Sequence, residues 1–298
     1  MSRHAAEGGA LINSMVGVAV ASVLVPEVEH LVQADDFPNL YWALSALGSP
    51  LIDIATPIDH ERLWIFSEFP YSSKLSTTIL SKAQAQDLKA SATKFLDFVN
   101  GSGTDSVLPN ELKVAAYSML AYPEAKAALV ERGYDVEKVE LMPVAQVIVL
   151  NGLEHYASFL DESVVIARLP YFKAFPLADR LEARVRAINR TLDVPLYSFA
   201  PPVQEVLWSA GRLDRSIAQL IVVEAIRNYM AEHEGRLPKS LSDITALPVP
   251  DDPITGKPFP YRLEGATATL DATAMGSMII TRYRISASAS PKHSNIGP

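Results

Sequence analysis

Gly235-Arg236-Leu237-Pro238-Lys239-Ser240-Leu241-Ser242-Asp243-Ile244, followed by Asp252-Pro253-Ile254-Thr255-Gly256-Lys257-Pro258-Phe259-Pro260-Tyr261-Arg262-Leu263, decides the fold class of this chain. Before it, residues 203–234 read as one long helix or two. Ile217, Leu220, Ile221, Val223, Ala225, Ile226, Tyr229 and Met230 make more than half of that surface apolar, so the helix needs cover on several sides. After it the period changes to two. Phe259, Tyr261 and Leu263 alternate, and Glu264-Gly265 makes a tight turn. Thr267, Thr269 and Leu270 begin a return strand, and Ile279, Thr281, Tyr283 and Ile285 alternate again. Within the corner, the Asp252 carboxylate can cap the backbone N–H groups that follow it while Pro253 fixes φ. Gly256 supplies the positive φ of a turn. The stretch therefore predicts a helix leading through a turn into a small antiparallel sheet.

Upstream of this unit the apolar residues recur at helical spacing. Helices are expected over 8–33, 38–47, 58–69, 81–99, 109–130, 136–159 and 173–192, the sixth containing Pro143. Asn100-Gly101-Ser102-Gly103-Thr104-Asp105 reads as a flexible loop. Leu11–Val25 is apolar nearly all round, yet it contains Asn13 and Ser14 and stops at Pro26. A membrane span needs about 20 apolar residues, so a buried helix is expected there. The chain opens almost directly into this helix, which reads as the C-terminal part of a longer protein. Val194–Pro202 is the internal boundary, because Pro-rich segments favour extended linkers. The expected fold is a helix-dominated α+β protein: a helical body over 1–200, a long helix plus small β-sheet over 201–285, and a disordered tail over 286–298.

Of the 298 residues 49% are hydrophobic and 20% charged, enough apolar material for a core. The net charge is −8, the wrong sign for a nucleic-acid partner. The densest basic run, Lys173 to Arg190, is interrupted by Asp179 and Glu182 and reads as a solvated helix face. There are no cysteines, which excludes disulfides, thiol catalysis and Cys-ligated metal or cluster sites.

The last third resembles the C-terminal body of bacterial pseudopilins, in which a long apolar helix leads through a G-x-L-P corner and a D-P-x-x-G-x-P-x-x-Y turn into a small sheet. The whole chain resembles a family of uncharacterised proteins numerous in planctomycete-type bacteria. That resemblance rests on Glu7-Gly8-Gly9-Ala10-Leu11-Ile12 with Val16-Gly17, on Pro38-Asn39-Leu40-Tyr41-Trp42-Ala43-Leu44 with Pro50-Leu51-Ile52-Asp53, and on the C-terminal unit. Relatives of this kind look exported, with an extra N-terminal membrane or signal segment. The resemblance implies a location in the cell envelope or periplasm, with membrane association only through such a missing segment. A cytoplasmic location follows if the N-terminus is complete. The family carries no biochemical role to transfer.

Catalytic signatures are missing. His60-Glu61 is followed by Trp64 where a zinc-protease helix needs a second His. The sequence holds no G-x-S-x-G elbow, no Walker loop and no G-x-G-x-x-G. Glu154-His155, on an apolar helix, is the pair to suspect if the helical body is an enzyme using carboxylate and imidazole chemistry. No cofactor is expected, apart from calcium at Asp251, Asp252 and Asp271, since some pseudopilins bind calcium near an equivalent loop and carboxylates suit that ion. Tyr41, Trp42, Trp64 and Trp208 are the candidate lining of a binding groove. The expected function is a non-catalytic, envelope-associated structural or binding component with a protein partner rather than a small molecule. An enzyme and a cytoplasmic adaptor are the alternatives.

Overall fold

The computed structural model describes residues 9–34, 37–100, 110–192, 196, 199–272 and 282–287. Among them are nine α-helices: α1 (Leu11–Gln33), α2 (Tyr41–Ser45), α3 (Ala55–Ser67), α4 (Lys82–Asn100), α5 (Asn110–Glu131), α6 (Val136–Leu141), α7 (Val144–Ala167), α8 (Tyr171–Leu192) and α9 (Val203–Glu232). Three strands follow: β1 (Tyr261–Glu264), β2 (Thr267–Asp271) and β3 (Arg282–Ser286). The protein is thus a helix-dominated α+β fold. The expected loop over 100–105 lies outside the described residues from Gly101 onward, as does most of the expected tail.

The chain divides into two units, one of Met1–Ile54, Leu169–Phe175 and Glu205–Pro298, the other of Ala55–Arg168 and Pro176–Gln204. The division expected at residue 200 grouped the first 54 residues with the helical body. They belong instead with the C-terminal helix and sheet. The reason lies in α9, whose apolar surface is too wide for a three-stranded sheet to cover alone.

In the first unit, Leu220, Val222, Ala225 and Ile226 of α9 are buried with Val32 of α1, Tyr41 and Leu44 of α2, and Phe259 and Leu270. The sheet is antiparallel in the order β1-β2-β3, with Leu263 opposite Ala268 and Leu270 opposite Tyr283. Ala268 and Leu270 of the central strand are wholly buried. The corner residues are structural. Asp252 accepts from Arg215 Nη2 at 2.6 Å and from the Ile254 N–H at 2.9 Å. The Tyr261 hydroxyl donates to Pro238 O at 2.7 Å, closing the G-x-L-P corner onto β1. Gly256 has φ +64°, and a Cβ there would lie 2.8 Å from Phe172. Asn39 joins the N-terminal segment to α9: its Nδ2 donates to Glu224 O at 2.8 Å, and its Oδ1 accepts from the Tyr41 N–H at 2.9 Å.

Helix α1 departs from expectation. It continues through Pro26 to Gln33, 23 residues, long and apolar enough by length and composition to cross a membrane. Leu11, Ser14, Val18, Ala21 and Val32 face inward, at the three-and-four spacing of one helix face. Only 28% of its apolar window is buried, so the expected wholly buried helix is instead covered on one side. Ile12 and Val23 are 69% and 74% exposed.

The second unit is built around α7, against which α3, α4 and α5 pack. Val147, Leu150, Leu153, Tyr156 and Leu160 form its buried stripe. Gln146 is buried and fully engaged. Its Nε2 donates to Leu75 O and Thr78 O at 2.8 and 2.7 Å, and its Oε1 accepts from the Leu80 N–H at 3.0 Å. One amide thereby fixes the segment between α3 and α4. The helix expected over 136–159 is two helices, since Pro143 cannot donate a helical hydrogen bond.

Candidate functional site: an apolar pocket in the helical unit

The second unit contains a pocket of about 80 Å³ between α4, α5 and α7. Its origin is legible in side-chain size. Ala121, Ala125 and Ala128 recur at three-and-four spacing on α5 and line it together with Gly152 of α7. Small residues on facing helices leave space that larger ones would fill. A Cβ on Gly152 would lie 3.1 Å from Leu196 Cδ1, so the glycine also seats that leucine. Phe69, Phe95 and Tyr117 form aromatic walls. Phe95 is braced by Phe69 at 5.1 Å and by Phe199 at 4.9 Å between ring centroids.

Three polar residues of different kinds join this lining. Asn151 Oδ1 is buried with no hydrogen-bond partner among the described residues. Leaving such an acceptor unmatched in a folded interior costs about 1–3 kcal/mol. Glu124 is exposed and is the only charged residue among the described lining. His155 lies one turn beyond Asn151 on α7, and its Nδ1 is 3.1 Å from Arg132 Nη2. A guanidinium only donates, so Nδ1 accepts and the ring is neutral with its proton on Nε2. Burial, and then the Arg132 charge, hold the His155 pKa below its ordinary value, which agrees with a neutral ring.

The structure separates the two members of the suspected Glu154–His155 pair. Glu154 Oε1 accepts from the Tyr134 hydroxyl at 2.6 Å and does not line the pocket. Among the described residues the pocket therefore has one carboxylate, not the two that acid–base catalysis by paired carboxylates would use. The carboxylates that burial does push upward, Asp214 and Glu224, belong to the first unit. Asp214 accepts from the Leu51 N–H and the Tyr171 hydroxyl, both at 3.0 Å. Glu224 pairs with Arg227 at 2.8 Å.

The calcium candidates are not gathered into a site. Asp252 is buried against Arg215, Asp271 pairs with Arg282 at 2.6 Å, and Asp251 is exposed. Among the described residues no group of three or more His, Asp or Glu could hold a metal ion. The four aromatic groove candidates also part company. Tyr41 is 3% exposed and donates its hydroxyl to Pro248 O at 2.5 Å, as a core residue with one satisfied polar tip. Trp208 stacks on Phe175 at 3.9 Å. Trp64 is in the second unit, tilted against Phe199 at 5.6 Å. Among the described residues Tyr41 and Trp42 line one groove, with Trp42 71% exposed.

Sequence reasoning missed Asn151 and the alanine stripe. A signal existed in both: small residues at helical spacing on one helix, and an amide beside a glycine on an otherwise apolar one. Comparison with protein-family models, with curated proteins and with solved structures finds no match to this chain.

Proposed function

We propose that this chain is a non-catalytic binding protein whose helical unit receives a small apolar ligand between α4, α5 and α7. The observation that carries this reading is a pocket of about 80 Å³ lined by Phe69, Phe95 and Tyr117, with Asn151 and His155 among its polar lining. Ligand sites are typically concave and mostly apolar, with few polar groups that fix orientation. The single carboxylate among the described lining and the separate engagement of Glu154 favour binding over chemistry. The sequence favoured a protein partner; the concave shape favours a small molecule.

The test is fluorescence of a neutral apolar dye, Nile red, titrated with the protein. Saturable enhancement is expected, and it should be lost in Ala121→Phe and in Ala92→Phe, each of which fills the pocket from a different helix. Enhancement unchanged in both folded variants overturns the reading. The envelope location is proposed on the planctomycete-type and pseudopilin resemblances alone, and fractionation of the protein tagged at its own locus tests it. Recovery only in the soluble cytoplasmic fraction removes it.

A further inference from the structure

Resting on the pocket reading above, we infer that its ligand is an apolar amine: a positively charged nitrogen with N–H donors on an aromatic or branched body. Four observations converge on that class. Asn151 is in the lining, and its Oδ1, itself shielded from solvent, has no donor among the described residues, so an N–H donor is the group this side chain lacks. Glu124 is the only charged residue among the described lining and has no ion-pair partner among the described residues, so the charge it can match is positive. His155 adds no cation, because Arg132 donates to its Nδ1 and the ring is neutral. Phe69, Phe95 and Tyr117 belong to the lining, and aromatic rings attract cations at their faces and suit aromatic bodies. A carboxylate ligand would meet Glu124 with like charge.

Three probes of nearly one shape separate these contributions: phenethylamine, 2-phenylethanol and 3-phenylpropionate, each displacing Nile red from the protein. Phenethylamine should bind best, about five- to tenfold tighter than the alcohol, with the propionate weakest. Glu124→Gln should bring amine and alcohol to within about twofold of each other, since a rim carboxylate acts mainly through charge. Asn151→Leu should weaken amine and alcohol alike by about five- to tenfold while leaving Nile red bound. Equal affinities for amine and alcohol in the unaltered protein, or preference for the propionate, overturn the amine assignment while the pocket stands. If Nile red itself does not bind, the pocket reading fails and the amine assignment with it.

Discussion

Arg132 Nη2 lies 3.1 Å from His155 Nδ1, and Arg132 Nη1 donates to Ser158 Oγ at the same distance. The guanidinium just past α5 thereby fixes two residues of α7, and it fixes the protonation of one of them. Protonating His155 would place an N–H against an N–H.

A pH dependence follows with a definite sign. The His155 pKa is lowered in the folded protein, chiefly by burial. Its contribution to stability is therefore present above the unfolded value, near 6.5, and is lost as pH falls through the lower folded value. Between pH 7.5 and 5 the protein should lose more thermal stability than His155→Gln. The difference should be on the order of 1–2 °C for a half-exposed ring screened by solvent. Parallel melting curves of the two proteins across that range would contradict it.

Asp214 works in the opposite direction. Burial raises its pKa, so its contribution is full below the ordinary carboxylate value and is lost as pH rises through the folded one. Asp214→Asn removes the titration while keeping an acceptor for Leu51 or Tyr171. The melting temperature of the variant relative to the unaltered protein should therefore rise from pH 4 to pH 7. A constant or shrinking gap, read by calorimetry, would contradict this.

The Arg215–Asp252 pair is 2.6 Å apart with both side chains nearly wholly buried. Asp252→Ala leaves the guanidinium without its carboxylate and removes the cap on the Ile254 N–H. The expected loss is about 3–5 kcal/mol in denaturant unfolding. Adding Arg215→Met should restore a large part of it, because the uncompensated charge is then gone. A double variant as unstable as the sum of the singles would argue against a buried-charge origin.

Two glycines with similar backbones separate strain from crowding. Gly256 and Gly265 have φ of +64° and +62°, but only at Gly256 would a Cβ meet a neighbour, Phe172. Gly265→Ala should cost about 1 kcal/mol for its left-handed backbone. Gly256→Ala should cost more, and Phe172→Ala in that background should recover the excess. Equal losses at both sites would show that Phe172 moves aside freely.

The C-terminal unit was largely legible in the sequence because its signals are local. A change of period from 3.6 to 2, an Asp-Pro turn and a glycine at positive φ each act within a few residues. The part α1 plays was less legible. An apolar helix can be buried, exposed or membrane-spanning with the same composition, and its one-sided cover is set by partners such as Ala225 and Ile226 of α9, which join Val32 in one cluster only in the fold. The pocket was least legible, since a cavity is what several side chains fail to fill. Ala121, Ala125 and Ala128 are ordinary helix formers on α5, and only Gly152 opposite them turns their smallness into space. The aromatic candidates misled for a related reason: Tyr41 and Trp208 are large enough to be anchors, and the fold uses them as internal ones.

The most direct test of the pocket follows its own methyl groups. With alanine methyls labelled, phenethylamine is titrated into the protein and the spectra are recorded by NMR. Saturable shifts confined to Ala121, Ala125, Ala128 and Ala92 are the predicted result, and they should vanish in Ala121→Phe. Shifts absent from these methyls, or confined to Ala19 and its neighbours on α1, would contradict the account.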